Sequence, residues 1–331
     1  MTWQVRLRQG GGFSVQPDQT ILEAGLAARF SFPHACRNGN CQRCLGHLAS
    51  GSVHLERKNL TIHAGEAAAS EVLYCLARPL ADCEIDVPEV YSPQTLPTHE
   101  VSAQIHSIEP LSKDISRVML TLPAGKPISW HAGQYLELLL DIGPCAFSIA
   151  SPPGGRELEL HVRHTADNPA SLQIMDILRD AATVRIRLPG GQRFIDTGAL
   201  PDKPVCFICG STGFAPAKAM IETLLEADFP HRISLYWGAR VRDDLYLHTL
   251  AQSWHESGKV DYVPVLSEQQ DDAFRQGLVH QAALTDLDAP QQALFHIGGS
   301  PAMAWAVFDA LRAAGVSAEQ IHSDVYDYAP R

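Results

Sequence analysis

The spacing of apolar and polar positions divides the chain into three stretches with different periodicities. Over residues 3–88, short alternating runs predict strands, and Trp3–Leu7 is expected to form a hairpin with Phe13–Val15. The run Thr20–Leu26 has the pattern of a short amphipathic helix that begins at Asp18 or Thr20. The first stretch is therefore a compact unit of short strands with little helix.

Two longer stretches follow a proline-rich segment at 91–98, which predicts an extended linker. Frequent alternating runs punctuated by Gly and Pro over 99–200 predict an antiparallel β-barrel. The strand-like runs there are Arg117–Leu122, Gln134–Leu140, Glu157–Arg163 and Thr183–Leu188. Over 201–331, strands alternate with helices, which predicts a parallel sheet flanked by helices. The strand-like runs are Val205–Cys209, Ile233–Trp237, Tyr262–Leu266 and Ala293–Ile297, and the helix-like ones include Ala217–Ala227 and Ala302–Ala314.

The composition excludes several classes of protein. A formal net charge of −11 over 331 residues argues against a nucleic-acid binder, which needs a basic surface. No apolar run approaches the length of a membrane span, and the N-terminus lacks the apolar core of a secretion signal. We therefore expect a cytoplasmic protein, in which disulfides are disfavoured, so the eight cysteines need another explanation.

Four of these cysteines have the spacing of an iron–sulfur site. Cys36, Cys41 and Cys44 form a C-x4-C-x2-C motif, and Cys75 follows 31 positions later, which is the plant-type arrangement for a [2Fe–2S] cluster. Gly39 gives the loop the freedom to point backbone N–H groups at the sulfurs. The alternative is a zinc site, because Cys41 and Cys44 form a C-x2-C pair, but zinc sites usually present two such pairs. The spacing favours the two-iron cluster.

Residues 3–90 resemble a plant-type ferredoxin module, including the segment Cys75–Pro79 after the fourth ligand. Gln42 stands where that family often has Gly, a departure expected to affect loop geometry and not ligation. The resemblance implies a β-grasp ferredoxin domain over 1–90.

Residues 99–331 resemble the ferredoxin–NADP reductase superfamily, especially its flavin reductase and oxygenase reductase branches. The resemblance rests on Gly133-Gln134-Tyr135, on 146–151 and on 159–163. It implies an FAD-binding barrel over 99–200, with FMN less favoured. Phe147 would lie against the isoalloxazine ring and Ser148 would hydrogen-bond its N5 region. The residues so assigned to the flavin are Phe147, Ser148, Ile149, Ala150, Ser151, His161, Val162 and Arg163.

The flavin signature is incomplete at its phosphate-binding positions. Cys145 replaces the arginine that usually holds the phosphate, and a thiol cannot make a bidentate phosphate contact. The second phosphate signature is present only as Asn168-Pro169-Ala170-Ser171. Arg156 and Arg163 are candidates to compensate.

The resemblance also implies a nicotinamide nucleotide domain over 201–331. Gly210–Gly213 follows a strand and opens a helix, which suits a pyrophosphate. Residues 296–303 resemble the segment beside the nicotinamide, with Gly298 where the family usually has Cys. The residues assigned to the nucleotide are Gly210, Ser211, Thr212, Gly213, Phe214, Arg240, Gly298, Gly299, Ser300 and Met303. Arg240 and Arg242 are the candidate donors to the 2′-phosphate of NADPH, but Asp243 and Asp244 offset their charge. This favours NADH, with NADPH as the alternative.

Together these motifs predict a multidomain α+β and α/β enzyme. It would be an NAD(P)H-dependent oxidoreductase that passes electrons through flavin to the cluster and on to an acceptor protein, an oxygenase or a dehydratase of deoxysugar synthesis. Phe147 and Ser148 are its candidate catalytic residues together with Tyr326, which would shield the flavin or else pack as a surface tyrosine. The alternatives are a reductase that uses flavin as a diffusible substrate and a non-enzymatic redox sensor.

Overall fold

The chain folds into two compact units. The computed structural model describes residues 2–8, 11–28, 30, 32–34, 36–65, 71–87, 90, 96, 98–125, 128–197 and 200–331. One unit is Met1–Pro97 together with Tyr326–Arg331, and the other is Thr98–Val325. Residues 91–95 and 97 of the predicted linker lie outside the described residues.

The first unit is built on a mixed sheet with the strand order β2-β1-β8-β3-β6. Its strands are β1 (Trp3–Leu7), β2 (Gly12–Val15), β3 (Leu45–Ser50), β6 (Glu71–Leu73) and β8 (Cys83–Asp86). The predicted hairpin is present, with Val5 opposite Phe13. A second small sheet contains β4 (Ser52–Leu55), β5 (Leu60–His63) and β7 (Ala77–Pro79), and a 3-10 turn, Glu56–Lys58, links β4 to β5.

Helix α1 (Ile21–Ala27) begins after Thr20, and so the structure selects Thr20 over Asp18 as the start of the predicted helix. The Thr20 hydroxyl accepts from the Glu23 N–H at 3.2 Å, while the Glu23 carboxylate accepts from the Thr20 N–H at 2.9 Å. This reciprocal capping box satisfies two otherwise unpaired donors of the first turn. The apolar face of the helix then packs on the sheet through Ile21 and Leu22, which are almost fully buried.

The first half of the second unit is the predicted antiparallel flavin-type barrel, a curled six-stranded sheet in the order β12-β11-β14-β9-β10-β13. The strands are β9 (His99–Pro110), β10 (Ile115–Thr121), β11 (Tyr135–Leu140), β12 (Gly143–Ser148), β13 (Glu157–Arg163) and β14 (Thr183–Gly190). The strand-like runs named from the sequence correspond to β10, β11, β13 and β14, whereas strand β9 and helix α2 (Pro169–Asp180) were missed. The start of α2 is the segment Asn168–Ser171.

The second half is the predicted parallel sheet, in the order β18-β17-β16-β15-β19-β20. The strands are β15 (Val205–Gly210), β16 (Ile233–Ala239), β17 (Asp261–Leu266), β18 (Arg275–Gln276), β19 (Leu294–Gly298) and β20 (Ile321–His322). The helices are α3 (Phe214–Glu226), α4 (His248–Glu256), α5 (Val279–Asp286) and α6 (Pro301–Ala313). A short helix, α7 (Val325–Tyr328), begins at the last residue of this unit and continues into the first. Short 3-10 turns occupy Ser211–Gly213, Arg242–Asp244, Pro290–Gln292 and Ala318–Gln320.

The two sheets of the second unit share apolar packing. Ala132 and Ile195, which form an isolated bridge at the end of the barrel, belong to the same core cluster as Phe207 of the parallel sheet and Phe214 of α3. The site residues of this unit therefore lie on one continuous scaffold. Among the described residues, no helix is both long and apolar enough to span a bilayer.

Candidate functional site

The four predicted ligand cysteines of the first unit come together as two pairs. The Cys36 N–H donates to Cys41 Sγ at 3.4 Å and the Cys41 N–H donates back to Cys36 Sγ at 3.3 Å. Cys44, directly before β3, lies with its Sγ 3.1 Å from the Sγ of Cys75, which is in the turn between β6 and β7. The sheet therefore fixes one pair, and the loop that contains Gly39 fixes the other.

The loop surrounds the thiols with backbone donors. Burial opposes ionisation of Cys36, but N–H groups of Asn38, Cys41 and Asn40 outweigh it and lower the pKa of this thiol to about 6. The hydrogen bond from Cys44 lowers the pKa of Cys75, with a further contribution from the Gly39 backbone, and raises that of Cys44. The lowered pKa values of Cys36 and Cys75 favour the thiolate, which is the form in which cysteine binds metals.

The conformation of the loop explains its glycine. Gly39 has φ +88°, and a Cβ there would lie 2.7 Å from Leu76 Cδ1. Gln42 also adopts a positive φ, 58°, at the position where the resembled family often has Gly. The chain therefore keeps the left-handed turn and accepts the strain of a side chain in it.

The paired arrangement fits a two-iron cluster better than a single zinc ion. In a [2Fe–2S] cluster two thiolates bind each iron, whereas a structural zinc needs four ligands in one tetrahedron. In the part of the chain that the structure describes, His, Cys, Asp and Glu side chains form no group of three around a single ion position. Two separated pairs of thiols, each enclosed by backbone N–H groups, are the donor set that two irons require.

In the second unit, the flavin signature lies at the end of β12. Phe147 and Ser148 are half-buried, whereas Ile149 and Ala150 are fully buried. The Ser151 hydroxyl donates to Glu157 O at 3.2 Å and accepts from the Glu159 N–H at 3.1 Å, which fixes the strand end against β13. Ser151 is half-buried like Phe147 and Ser148, Ala146 is exposed, and Phe147 also packs against the barrel core.

The two arginines considered as substitutes for the missing phosphate ligand are both engaged within the protein. Arg156 donates from Nε and Nη2 to Leu122 O, at 3.0 and 2.6 Å. Arg163 donates from Nε to Asp114 Oδ2 at 3.1 Å. Cys145 itself donates to Gly143 O at 3.6 Å. Ser171 donates to Asn168 O at 2.6 Å and accepts from the Thr165 N–H, within the first turn of α2.

Between the barrel and the parallel sheet, the structure reveals a buried polar cluster that sequence analysis missed. Lys218 of α3 donates to Glu159 Oε2 and Glu222 Oε2, each at 3.0 Å, and to Ala150 O at 3.2 Å. Glu159 Oε1 accepts from His161 Nε2 at 2.8 Å and from Arg117 Nε at 3.1 Å. We name Lys218, Glu159, Glu222, His161 and Tyr246 the junction network.

Hydrogen-bonding partners fix the tautomer of His161 in this network. A carboxylate can only accept, so Nε2 carries the proton that it donates to Glu159, and Nδ1 accepts from the Tyr246 hydroxyl at 2.9 Å. Burial lowers the pKa of His161 and keeps the ring neutral. Burial also opposes ionisation of Glu159, but His161 and Lys218 stabilise the carboxylate and lower its pKa to about 2. Of the predicted flavin residues nearby, Val162 lies in the barrel core.

The predicted pyrophosphate loop closes against the loop after β19. A Cβ on Gly213 would lie 2.1 Å from the backbone of Gly298, so the two glycines permit direct backbone contact. A Cβ on Gly210 or on Gly299 would meet the sulfur of Met303, at 2.5 and 2.7 Å. Met303 therefore packs over both glycine turns, where a longer or branched side chain would block them.

Other predicted nucleotide residues have structural contacts of their own. Phe214 is fully buried and stacks on Trp237 at 3.9 Å between centroids, so any phosphate contact of Phe214 would come from its backbone N–H. The Ser300 hydroxyl caps α6 by accepting from the Met303 N–H. Arg240 is exposed, with Nε 3.9 Å from Asp244 Oδ2. Ser211 has φ +50° within the turn before α3.

Tyr326 is placed with the first unit and is fully buried there, with the Arg43 guanidinium 5.0 Å above its ring. The prediction that it shields the flavin stays a prediction. Of the other cysteines, Cys83, Cys206 and Cys209 are buried, and burial raises the pKa of each thiol. Their burial is consistent with the packing of these thiols in the cores of their units.

Comparisons with known proteins agree with this division. A model of the 2Fe-2S iron-sulfur cluster binding domain matches residues 7–80, and one of the oxidoreductase NAD-binding domain matches residues 207–309. The chain is 31% identical to the CDP-6-deoxy-L-threo-D-glycero-4-hexulose-3-dehydrase reductase of Yersinia pestis, over 98% of this chain and 99% of that protein. It is 30% identical to reductase component 2 of a Comamonas terephthalate 1,2-dioxygenase, over 96% and 95%.

Solved structures agree with the sequence relatives. The crystal structure of an Amycolatopsis cytochrome P450 reductase aligns with a TM-score of 0.68 at 30% identity, over 97% of this chain and 98% of that one. The similarity therefore covers both units and the chain order from the cluster domain to the nucleotide domain.

Proposed function

Because the chain belongs to the family of reductases that join a [2Fe–2S] ferredoxin domain to an FAD- and NAD-binding module, we propose that it moves electrons from NADH to a protein acceptor. It is an NAD(P)H-dependent oxidoreductase whose electrons pass through FAD to the [2Fe–2S] cluster. The assignment rests on one observation. The first unit contains two cysteine pairs, Cys36 with Cys41 and Cys44 with Cys75, and the same chain contains a strand, glycine turn and helix suited to a nucleotide. The acceptor we propose is the oxygenase or dehydratase component that such a reductase serves.

The bound flavin and the two-iron cluster would supply the redox chemistry, and the protein would hold and orient them. A bound flavin converts the two-electron hydride transfer of a nicotinamide into single-electron steps, and a bound two-iron cluster takes up one electron at a time. The protein supplies ligands, orientation and exclusion of water. Cys36, Cys41, Cys44 and Cys75 would hold the cluster, and the N–H groups of the loop would stabilise the negative charge on its sulfurs.

Phe147 and Ser148 are the residues we assign to the flavin ring, because their side chains are accessible at the end of β12. Ile149, Ala150, Ser151, His161, Val162 and Arg163 would then act mainly as supports of that strand end or through their backbone groups. Cys145 leaves this strand without an arginine for the flavin phosphates. Affinity for FAD must therefore come from other contacts, and we expect weaker retention than in relatives that keep the arginine.

The nucleotide pyrophosphate would bind at Gly210–Gly213, where backbone N–H groups and the start of α3 favour negative charge. Backbone contact between Gly213 and Gly298 brings the two turns together there. The same nucleotide site would also include Gly299, Ser300 and Met303. Met303 packs against Gly210 and Gly299 there.

We assign NADH as the electron donor because nearby acids neutralise the arginines after β16. Arg240 lies beside Asp244, and Arg242 lies 4.0 Å from Asp271 and over the Phe274 ring. Binding of a 2′-phosphate needs cationic donors that are not already paired. We also place the protein in the cytoplasm, where NADH is available and thiols stay reduced, in keeping with eight free cysteines.

The test is anaerobic titration of the purified protein with NADH, followed by visible absorbance. We expect flavin and cluster bands to bleach together, with NADPH slower. Persistence of the cluster bands after the flavin has bleached would contradict the proposal. Gel filtration adds a second arm, since flavin that migrates separately from the protein would support a reductase of diffusible flavin.

A further inference from the structure

The face around the cluster loop has a charge opposite to that of the rest of the chain. Residues 1–90 contain eight Lys and Arg against nine Asp and Glu, and the whole chain has a formal charge of −11. Five of those eight cations fall at the loop or at segments that touch it, and only one of the nine acids does. The cations are Arg37, Arg43, Arg57, Lys58 and Arg78, and the acid is Glu56.

Hydrogen bonds place several of these cations beside the cysteines. Arg57 donates from Nη1 to Asn38 O at 3.3 Å, so its guanidinium lies on the loop between Cys36 and Cys41. Arg37 adjoins Cys36, and its Nη2 lies 3.0 Å from His34 Nε2.

A third cation extends this positive surface. Lys58 is exposed on the same 3-10 turn as Arg57. Arg78 follows Cys75 by three positions, but it pairs with Glu56 at 3.0 Å, which offsets its charge. We name Arg37, Arg57 and Lys58 the basic rim.

We propose that the basic rim is the docking surface for the protein that takes the electron from the cluster, and that this acceptor presents an acidic face. The inference rests on the proposed function, because only an outgoing electron requires a partner at this loop. A partner must approach the thiols closely, and it then meets a positive surface on an otherwise acidic chain. Complementary charge at such a site raises the association rate and selects the partner.

An opposite expectation follows from net charge alone. A chain of charge −11 would attract a basic acceptor over a distance comparable to the Debye length. The basic rim acts at short range, where the partner meets the loop. Net charge therefore predicts faster reduction of a basic acceptor, whereas the rim predicts faster reduction of an acidic one. The sign of the preference for a charged acceptor therefore decides between them.

The experiment uses one haem protein in two charge states, native basic cytochrome c and its succinylated acidic form. Reduction is driven by NADH in the full-length holoprotein at low and high salt. We expect about tenfold faster reduction of the succinylated form at low salt, with the difference lost at high salt. Faster reduction of the native form would overturn the proposal.

Charge reversal tests the location. In the variant R37E/R57E we expect the preference to disappear or invert. Lys58→Glu should weaken the preference for the acidic acceptor severalfold, and this variant keeps the hydrogen bond between Arg57 and Asn38. The result therefore does not depend on whether the double variant also distorts the loop. The control R179E/R275E makes the same change in net charge at exposed, ion-paired arginines of the second unit. Equal effects of rim and control variants would overturn the proposal.

A separate measurement distinguishes failure of the docking proposal from failure of the proposed function. Bleaching of the cluster by NADH is recorded in the same samples before any acceptor is added. Absence of bleaching in the unsubstituted protein would contradict the proposed function itself. Bleaching with no preference for the acidic acceptor would contradict only the docking surface.

Discussion

The cluster loop and the junction network solve the same problem, the placement of charge inside a protein, with opposite means. In the loop, backbone N–H groups stabilise Cys36, and the segment is only half-buried. In the network, side chains of opposite charge stabilise one another, and Lys218 is 7% exposed. The first arrangement depends on backbone conformation, and the second depends on the identity of every side chain in it.

This difference determines what each region tolerates. Backbone donors remain whatever the side chains are, so loop residues other than the cysteines and Gly39 can vary, as Gln42 illustrates. A buried ion pair behaves differently, because loss of one partner leaves a charge without compensation in a medium of low polarity. We therefore expect conformational substitutions to damage the loop and charge substitutions to damage the network.

The largest effect should come from loss of a ligand. In Cys75→Ser we expect the iron content and the cluster absorbance to be lost, and NADH-driven reduction of cytochrome c to fall by about two orders of magnitude or more, since a hydroxyl replaces a metal-binding thiolate. Bleaching of the flavin by NADH should persist. Cys83→Ser, at a buried thiol outside the loop, is the control, and equal loss of iron in both variants would contradict the assignment.

The network is next in expected effect. Lys218→Met leaves Glu159 and Glu222 buried without their shared cation, which should cost about 3–5 kcal/mol in the free energy of unfolding. Thermal denaturation measures the loss, and the dissociation constant for NADH should rise because α3 carries the pyrophosphate turn. Lys218→Arg should recover part of both, and Lys259→Met, at an exposed lysine, should change neither. An unaltered melting temperature in Lys218→Met would remove the contrast with the loop.

A third pair of variants isolates backbone conformation. Gly39→Ala combines a positive φ with a contact of 2.7 Å to Leu76, whereas Gly65→Ala has a φ of +92° with nothing within 4 Å. Strain of about 1–3 kcal/mol at Gly39 should shorten the half-life of the cluster absorbance at least about fivefold. Equal half-lives in the two variants would show that steric contact in the loop has no effect.

The smallest effect concerns pH. Burial lowers the pKa of His161 and of His296 below the ordinary value of 6.5, so the unfolded chain binds protons that the folded chain does not. Stability should therefore fall as the pH decreases below about 6.5. His161→Gln should flatten this dependence by up to about 1.4 kcal/mol per pH unit, measured as melting temperature between pH 5 and 7.5. The exposed His63→Gln is the control, and a steeper dependence in His161→Gln would contradict the neutral ring.

Sequence patterns predicted the parts of the molecule that depend on local chemistry. The spacing of four cysteines, the glycine turn after β15 and the alternation of apolar residues indicated the cluster, the nucleotide site and the type of each sheet, because each is a property of a short segment. FAD was implied by the family resemblance. The resemblance of the whole chain to ferredoxin-linked reductases was confirmed. Assignments of individual flavin and nucleotide residues remain predictions.

The junction network could not be predicted because it joins residues far apart in the sequence. Lys218 looks like an ordinary polar position of an amphipathic helix, and Glu159 like the outward residue of an alternating strand. Only the packing of α3 against β13 buries both. The available signal was the presence of Lys218 and Glu222, four positions apart, within the mainly apolar run 217–227. Helix α2 was missed because Asn168–Ser171 was interpreted only as an altered phosphate signature, whereas Pro169 is a favourable first helical residue.

The assignment of Tyr326–Arg331 to the first unit gives the chain the connectivity of a domain insertion. The polypeptide leaves the ferredoxin-like unit at Pro97, completes the whole reductase unit, and returns for its last six residues. Strand β1 and Tyr326, more than 300 positions apart in the sequence, thus belong to one compact unit. A fragment cut at the linker would lack Tyr326, over whose ring Arg43 lies. A trim of the C-terminus likewise removes part of the electron-output unit and leaves the nucleotide-binding sheet complete.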